Sequence, residues 1–244
     1  MKSQTSIKSA GAIVIAMQSI ANNICKYRAE RLYYLFLPVV TALAMVGCSA
    51  LPDKPMRTQM YDFGPGALAG SAATRQASLP PIALDDITTA GGALDNMSVL
   101  YRLVYLDDQQ LRTYAQARWS APPALLVRQR LRDQLSLRRA VFNAGDSLSL
   151  NRSQNAVLPL LLRLELEEFS HLFTTPDTSV GLIRLRVTLV DVTPMGEKLV
   201  GQRSIVVQRP ASSSDAPGGV RALTLATDAA IEEINQWLQQ LPAR

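Results

Sequence analysis

The chain offers few side chains whose type and spacing could perform catalysis. It contains a single histidine, His171, in the stretch EFSHLFTTPD. A catalytic histidine acts together with a nucleophile and an orienting acid, and the sequence has no G-x-S-x-G nucleophile elbow. We therefore place His171 in a short bend after a strand, expect it to have no catalytic or metal-binding role, and predict no enzymatic activity.

Acidic residues occur in neighbouring pairs, the residue type that general acid–base chemistry or calcium binding uses. Glu167 and Glu168 could flank a sugar, but adjacent residues of a strand point to opposite faces, so we interpret them as solvated charges. The aspartate pairs lack the regular alternation of a calcium loop and are interpreted as turn residues: Asp85 with Asp86, and Asp107 with Asp108. Zinc-ligand spacing, a P-loop and GxGxxG are also absent from the sequence, so we predict no metal and no nucleotide cofactor.

The thiol with a definite chemical role is that of Cys48. It follows an apolar stretch, residues 32–46, which has basic residues before it and Gly47 after it. This order is typical of a secretory signal, and the apolar stretch is shorter than a membrane-spanning helix. We predict that residues 1–47 are a signal peptide, with Met17 as an alternative start. An uncleaved anchor helix with Cys48 as a bystander is the competing interpretation.

The sequence MVGC around the cleavage point resembles a lipobox, in which a signal peptidase cuts before a cysteine that already carries diacylglycerol. The resemblance implies that Cys48 carries covalent lipid, including a fatty acid such as palmitate, and that the chain needs no other cofactor. Residues 48–57, polar and with two prolines, are predicted to be the lipidated tether. Lipoproteins retained in the inner membrane commonly carry aspartate after the cysteine. Ser49 therefore implies the periplasmic side of the outer membrane.

Charge is distributed unevenly along the chain. Residues 1–47 hold five basic side chains and one acidic one, and the remainder holds twenty basic and nineteen acidic ones, a net charge of +1. Nucleic-acid binding needs a basic excess or stripe within the folded domain, so we exclude a nucleic-acid partner. With 48% hydrophobic and 18% charged residues, the composition is that of a globular protein, and residues 58–244 are predicted to form one domain.

Hydrophobic periodicity predicts strands and hairpins. From residue 97 the chain alternates with a period of two, with Val99, Tyr101, Leu103 and Tyr105 on one face and Leu100, Arg102 and Val104 on the other. After a turn at 107–110 the segment 111–116 is predicted to return as its partner. Residues 160–167 and 183–189 alternate in the same way, leucine, isoleucine and valine on one face and mainly charged side chains on the other. A sheet covered on one face only favours antiparallel pairing.

Two amphipathic helices complete the predicted fold. The first follows Ser120, a candidate N-cap, and carries the apolar stripe Val127, Leu131 and Leu135. The second runs over residues 220–241. The fold class is therefore α+β, a mainly antiparallel sheet with two helices packed on one face.

The predicted sheet leaves one charged face uncovered. We expect this face to carry Arg163, Glu165, Glu167, Arg184 and Arg186. Such a face is either merely solvated or it docks a partner of opposite charge pattern, where complementarity would set orientation and association rate. Both interpretations stay open.

The stretch from Leu79 to Leu135 resembles the ABC-type transport auxiliary lipoprotein family. The residues that carry the resemblance are Tyr101, Arg102, Tyr114, Arg118, Trp119, Pro122 and Pro123. The later strands and the terminal helix follow the same order, so the resemblance spans most of residues 56–241. It implies that residues 58–244 are an auxiliary domain of an MCE/Mla-type ABC lipid transport system.

This resemblance implies partners as well as a fold. They are an MCE-domain protein and its ABC transporter, and the membrane through the lipid anchor; phospholipid is a candidate ligand and a homo-oligomer a candidate assembly. Tyr114, Arg118 and Trp119 either pack the start of the first helix into the core or contact lipid or a partner. The alternative function is a lipoprotein scaffold or assembly factor for another envelope complex.

Overall fold

The computed structural model gives the fold of the predicted mature region. It describes residues 57–66, 79–146, 158–193 and 195–241. The predicted signal peptide, the Cys48 anchor and all but the last residue of the tether lie outside these residues. Within the described part of the chain, no helix combines the length and apolarity needed to cross a membrane.

The described residues include a nine-stranded sheet and two α-helices that are described over their whole length. The strands are β1 (Gln59–Tyr61), β2 (Ile82–Leu84), β3 (Thr88–Thr89), β4 (Ser98–Leu103), β5 (Asp107–Trp119), β6 (Val141–Asn143), β7 (Leu160–Phe173), β8 (Ser179–Thr193) and β9 (Gly196–Pro210). The helices are α1 (Pro123–Ser136) and α2 (Ala216–Gln240), and a 3-10 turn covers Gly92–Leu94.

Strand β7 is the centre of the sheet. One of its edges pairs antiparallel with β8, which pairs antiparallel with β9. Its other edge pairs with three short strands in succession, β2, β3 and β4, all parallel to it. Beyond them, β4 pairs antiparallel with β5, β5 parallel with β1, and β2 parallel with β6.

The sheet is therefore mixed. The α+β class is confirmed, and the predicted antiparallel pairing holds for β4 with β5 and for β7, β8 and β9, whereas the short parallel pairings were not predicted. Alternating side chains show which face of a strand is buried, but they carry no information on the direction of its neighbours. β2 and β3, with three and two residues, are too brief to show a pattern, and the alternation along β4 does not show which strand lies beside it.

A β-bulge in β7 changes which side chains face the helices. The register shifts between Leu166 and Glu168, so Glu167 is an extra residue opposite β8. Glu167 and Glu168 consequently line the same small cavity instead of pointing to opposite faces, and that prediction was wrong. The strand continues past the bulge to Phe173, and His171 lies inside it, fully buried, not in a bend after it.

Helix α1 begins later than predicted. Its N-cap is Pro122, which makes no side-chain cap, and Pro123 is its first residue. Ser120 does not cap the helix; its backbone N–H instead donates to the carbonyl of Tyr61 at 2.7 Å, which ties β1 to the end of β5. The predicted stripe is confirmed as core: Val127, Leu131 and Leu135 are all buried.

Helix α2 begins four residues before its predicted start, at Ala216. The carboxylate of Asp215 accepts a hydrogen bond from the backbone N–H of Gly218 at 2.8 Å and caps the helix. The helix packs across β7, β8 and β9 and beside α1. Arg130 of α1 joins the two helices through a two-pronged ion pair with Asp228, at 2.7 and 2.9 Å.

Candidate functional site

The face of β7 and β8 opposite α2 carries a row of charges, which we call the polar face. It comprises Arg163, Glu165 and Glu167 of β7 with Arg184 and Arg186 of β8. Glu165 lies directly across from Arg186, and Glu168 across from Arg184. The core-facing neighbours Leu164, Leu185 and Val187 are buried, at most 3% exposed, because alternate residues of a strand point to opposite sides.

Most charges of the polar face are neutralised within the molecule. Arg186 lies 2.5 Å from a carboxylate oxygen of Glu167 and 3.5 Å from one of Glu165. Arg163 donates to both oxygens of Glu197 at 2.6 and 2.7 Å and to Asp85 at 3.1 Å. The hydrogen bonds from Arg163 lower the pKa of Glu197, and Glu197 and Asp85 raise the pKa of Arg163.

Arg184 differs from these arginines. It is exposed, and among the described residues it makes no ion pair. The carboxylate opposite it, Glu168, is bound instead by Arg102 at 3.2 Å. Its neighbour on β9 is Val206, which is 51% exposed. Arg184 therefore presents an uncompensated positive charge beside an apolar side chain.

Arg102 holds three segments together. Besides its ion pair with Glu168, its Nη1 donates to the carbonyls of Asp108 and Gln109, each at 3.2 Å. Glu168 also accepts from the hydroxyl of Ser170. Arg102 thus fixes the start of β5 against the bulge of β7, and its charge is used internally.

Tyr101 and Tyr114 meet on the helix side of the sheet, with His171 and Phe173, in what we call the aromatic cluster. The ring centroids of Tyr101 and Tyr114 lie 4.6 Å apart and those of His171 and Phe173 4.4 Å apart. Tyr101 meets Phe173 edge to face at 6.1 Å. Ring pairs of this kind contribute about 0.5–1.5 kcal/mol beyond their buried area, so the cluster joins β4, β5 and β7.

His171 is the buried polar centre of the aromatic cluster. Its Nδ1 is hydrogen-bonded to the hydroxyl of Tyr114 at 2.8 Å, and its ring packs directly on Gly219 of α2. Burial lowers the pKa of His171 to about 4, against a small opposing effect of Asp215. Burial also raises the pKa of Tyr114. The imidazole is therefore neutral near pH 7 and closed off from solvent.

The remaining residues of the family resemblance anchor the start of α1. Trp119, 1% exposed, packs edge to face on Phe63 at 5.6 Å and against Phe169 at 5.5 Å. Arg118 donates to the carbonyls of Tyr114 and Ala117 at 2.6 and 2.9 Å. Pro122 and Pro123 supply the N-cap and first residue of the helix.

Sequence reasoning missed the residues that complete these arrangements. Asp85 and Glu197 bind Arg163 from 78 and 34 residues away, separations at which no local pattern could reveal them. Asp215 had a usable signal, because an aspartate shortly before a proline is typical of a helix N-terminus. Within the described ranges, no group of three metal-ligating side chains comes together.

Comparison with known proteins identifies the family. A Xanthomonas campestris protein described as a DUF330 family member has the same fold, with a TM-score of 0.53, 17% identity and coverage of 69% of this chain and 88% of that one. A second crystal structure, of an uncharacterized protein, gives a TM-score of 0.51 at 12% identity and covers 75% and 99%. No curated protein matches.

The family model described as the ABC-type transport auxiliary lipoprotein component matches residues 61–235. The match includes every residue on which the resemblance was based and confirms it. The family is one of lipoproteins, which are anchored to a membrane of the cell envelope, and its name associates it with ABC transporters. The chain belongs to the family of ABC-type transport auxiliary lipoprotein components.

Proposed function

We propose that the protein is an auxiliary subunit of an MCE/Mla-type ABC lipid transport system, held on the periplasmic side of the outer membrane by lipid on Cys48. It binds an MCE-domain protein through the polar face and performs no catalysis. The observation that carries the proposal is Arg184, an exposed cation beside Val206 on a face that α1 and α2 leave open.

A binding role agrees with the internal chemistry of the domain. The histidine is buried and hydrogen-bonded to a tyrosine, an environment that keeps it from exchanging protons with a substrate. The arginines other than Arg184 on the polar face have fixed partners. Such internal pairs contribute little stability, but they hold the charge pattern in one geometry, which is what a partner with a complementary pattern recognises.

The anchor itself gives the first test. Growth with radiolabelled palmitate should label the wild-type protein, because Cys48 is the only cysteine left after residues 1–47 are removed. Cys48→Ser should carry no label. Equal labelling of both proteins would show that the lipid, if any, is attached elsewhere.

The polar face gives the second test. The detergent-solubilised full chain is used in a pull-down with an MCE-domain protein encoded in the same gene cluster. Arg184→Glu should reduce capture about fivefold at low salt, because it reverses an exposed charge at the contact. The difference between the variant and the wild type should become smaller at high salt, because the screening length is about 8 Å at physiological ionic strength and shorter above it. Arg186→Glu is a poorer choice, since it would crowd carboxylates around Glu165 and Glu167.

The matched control is Arg203→Glu, the same charge reversal at an exposed arginine of β9. Arg203 lies opposite Val187, a core-facing residue, so it belongs to the other side of the sheet. It should leave capture unchanged. Equal loss with both variants would mean that net charge and not the polar face matters, and undiminished capture with Arg184→Glu would move docking to the loops or helices. Failure of the wild type to bind any MCE-domain protein would favour the scaffold function.

A further inference from the structure

Three consecutive apolar side chains stand exposed where β4 turns into β5, and we call them the apolar tip. Val104, Tyr105 and Leu106 are 38%, 41% and 65% exposed. The turn closes through a backbone hydrogen bond from Leu106 to the carbonyl of Leu103 at 2.9 Å. Turns are ordinarily formed by glycine, proline, asparagine, aspartate or serine. The backbone geometry therefore does not require these side chains.

The apolar tip extends past the end of the central strand. The N–H of Val104 donates to the carbonyl of Phe173, the last residue of β7, at 3.0 Å, so Tyr105 and Leu106 lie beyond the last pairing. The neighbouring connections at this end are polar. The turn between β7 and β8 contains Thr174, Thr175 and Thr178, and the loop between β9 and α2 contains three serines in a row. Among the residues that the structure describes, exposed apolar surface at this end is thus concentrated in the tip.

β1, which follows the predicted tether, lies along the end of β5 remote from the apolar tip, and the chain enters it while moving away from the tip. β5 runs from the tip at Asp107 down to Trp119, and β1 is parallel to it, so the chain reaches Gln59 before it reaches Tyr61 while moving away from the tip. The six residues of β4 separate this entry from the tip by about 20 Å. The nine Cα-to-Cα steps from Cys48 to Arg57 can span at most about 30 Å, which is enough to cover that separation.

We propose that the apolar tip inserts into the headgroup–acyl boundary of the membrane that carries the Cys48 lipid, as a second contact that fixes the orientation of the domain. The proposal rests on the lipidation of Cys48 under the proposed function. Valine and leucine suit the acyl region, and tyrosine, with an apolar ring and a polar hydroxyl, suits the interface. A lipid chain combined with a second membrane contact is the arrangement that anchors proteins stably.

The charge next to the apolar tip indicates which kind of lipid surface it can contact. Asp107 and Asp108 follow Leu106 directly and are exposed. Anionic lipids attract basic segments and repel acidic ones. The surface that fits the tip is therefore zwitterionic, and the contact should depend on salt far less than docking through Arg184 does.

The experiment places a fluorescent probe on the tip of the full lipidated chain. With the Cys48 thiol blocked by its thioether bond to diacylglycerol, Leu106→Cys introduces the only free thiol of the mature protein, and an environment-sensitive dye is attached there. The protein is reconstituted in phosphatidylethanolamine and phosphatidylcholine vesicles containing a lipid with a nitroxide on its acyl chain. Insertion by about 5–10 Å should quench roughly half of the emission.

The matched control is Leu199→Cys at the opposite end of the sheet. Leu199 is 61% exposed against 65% for Leu106, and it lies on β9 near the turn that joins β8 to β9. The same dye there should escape nitroxide quenching and remain accessible to iodide in the water. Both substitutions replace exposed side chains, and near-ultraviolet circular dichroism should confirm that each variant keeps the native fold.

Each other outcome overturns a defined part of the proposal. If iodide quenches the dye at both positions and the nitroxide lipid quenches neither, the apolar tip lies in water. It would then be available to a protein partner and not to the membrane. Equal nitroxide quenching at both positions shows a domain lying flat without a preferred end. Palmitate labelling of the same preparations tests the anchor separately: its absence overturns the shared membrane attachment, whereas a labelled protein with an unquenched tip overturns the tip contact alone.

Discussion

Gly181→Ala should lower the free energy of unfolding by at least about 3 kcal/mol or prevent folding. A Cβ at this position of β8 would lie 2.5 Å from the backbone nitrogen of Leu223 and 2.6 Å from the carbonyl carbon of Ala222. Both atoms belong to the backbone of α2 and cannot rotate away as a side chain would. The helix would have to move off the sheet, and overpacking that shifts the backbone costs about 1–3 kcal/mol or more.

Urea unfolding followed by circular dichroism measures this effect, with Gly91→Ala as the control. Gly91 is extended, with φ of −174°, and a Cβ there would meet nothing within 4 Å. The control should therefore change stability by less than about 0.5 kcal/mol. Two variants of equal stability would show that α2 is free to adjust above β8, contrary to the close backbone approach.

Gly181 also illustrates what sequence reasoning could not supply. The segment GLIRLRVTLVDV predicts a strand with Ile183, Leu185 and Val187 on its buried face, and β8 has that arrangement. The reason for a glycine at its start lies in α2, some forty residues later in the chain. Local periodicity identifies a buried face, whereas the distance between two packed backbones depends on the tertiary structure.

The two faces of the sheet also show which features a local sequence pattern predicts and which depend on the tertiary structure. Alternation along β7 and β8 was sufficient to predict that arginines and glutamates share one side, because a strand has only two sides. The bulge at Glu167 broke the alternation and placed Glu168 on the same side as Glu167. The strand then continues to Phe173, which places His171 inside it and not in a bend. A bulge inserts one residue without a marked sequence signal, so the error was confined to the part of the strand beyond it.

The sequence predicted which charged residues share the polar face but not which of them form ion pairs within the molecule. The sequence indicates five charged residues on the polar face but not which of them stay available to a partner. Asp85 and Glu197 neutralise Arg163, and Glu165 and Glu167 neutralise Arg186. Pairing across strands depends on register and bulge position, and neither can be read from composition. Among the five charged residues of the polar face, the structure leaves Arg184 as the arginine without an ion pair among the described residues.

His171 should make the stability of the domain depend on pH. Its pKa is about 4 in the folded protein and 6.5 in the unfolded chain, because burial disfavours the imidazolium ion. Above pH 6.5 the ring is neutral in both states and its effect on stability is constant. As the pH falls below 6.5 the unfolded chain binds a proton that the folded protein refuses, so stability declines until the pH reaches about 4.

The expected loss over this interval is about 3 kcal/mol, since each pKa unit of difference corresponds to about 1.4 kcal/mol. Urea unfolding at half-unit steps from pH 7.5 to pH 4 measures the slope. His171→Asn should be less stable than the wild type at neutral pH but should lack this slope, so the two curves should approach each other as the pH falls. Exposed carboxylates begin to titrate at the lower end of this range in both proteins, so their contribution cancels in the difference. Hydrogen bonds from Ser213 and Gly218 lower the pKa of Asp215 from its ordinary value of 3.8, below this range. Parallel curves for the wild type and His171→Asn would show that the imidazole takes up its proton equally in both states, through an opening of the aromatic cluster between α2 and β7 that admits water to Nε2.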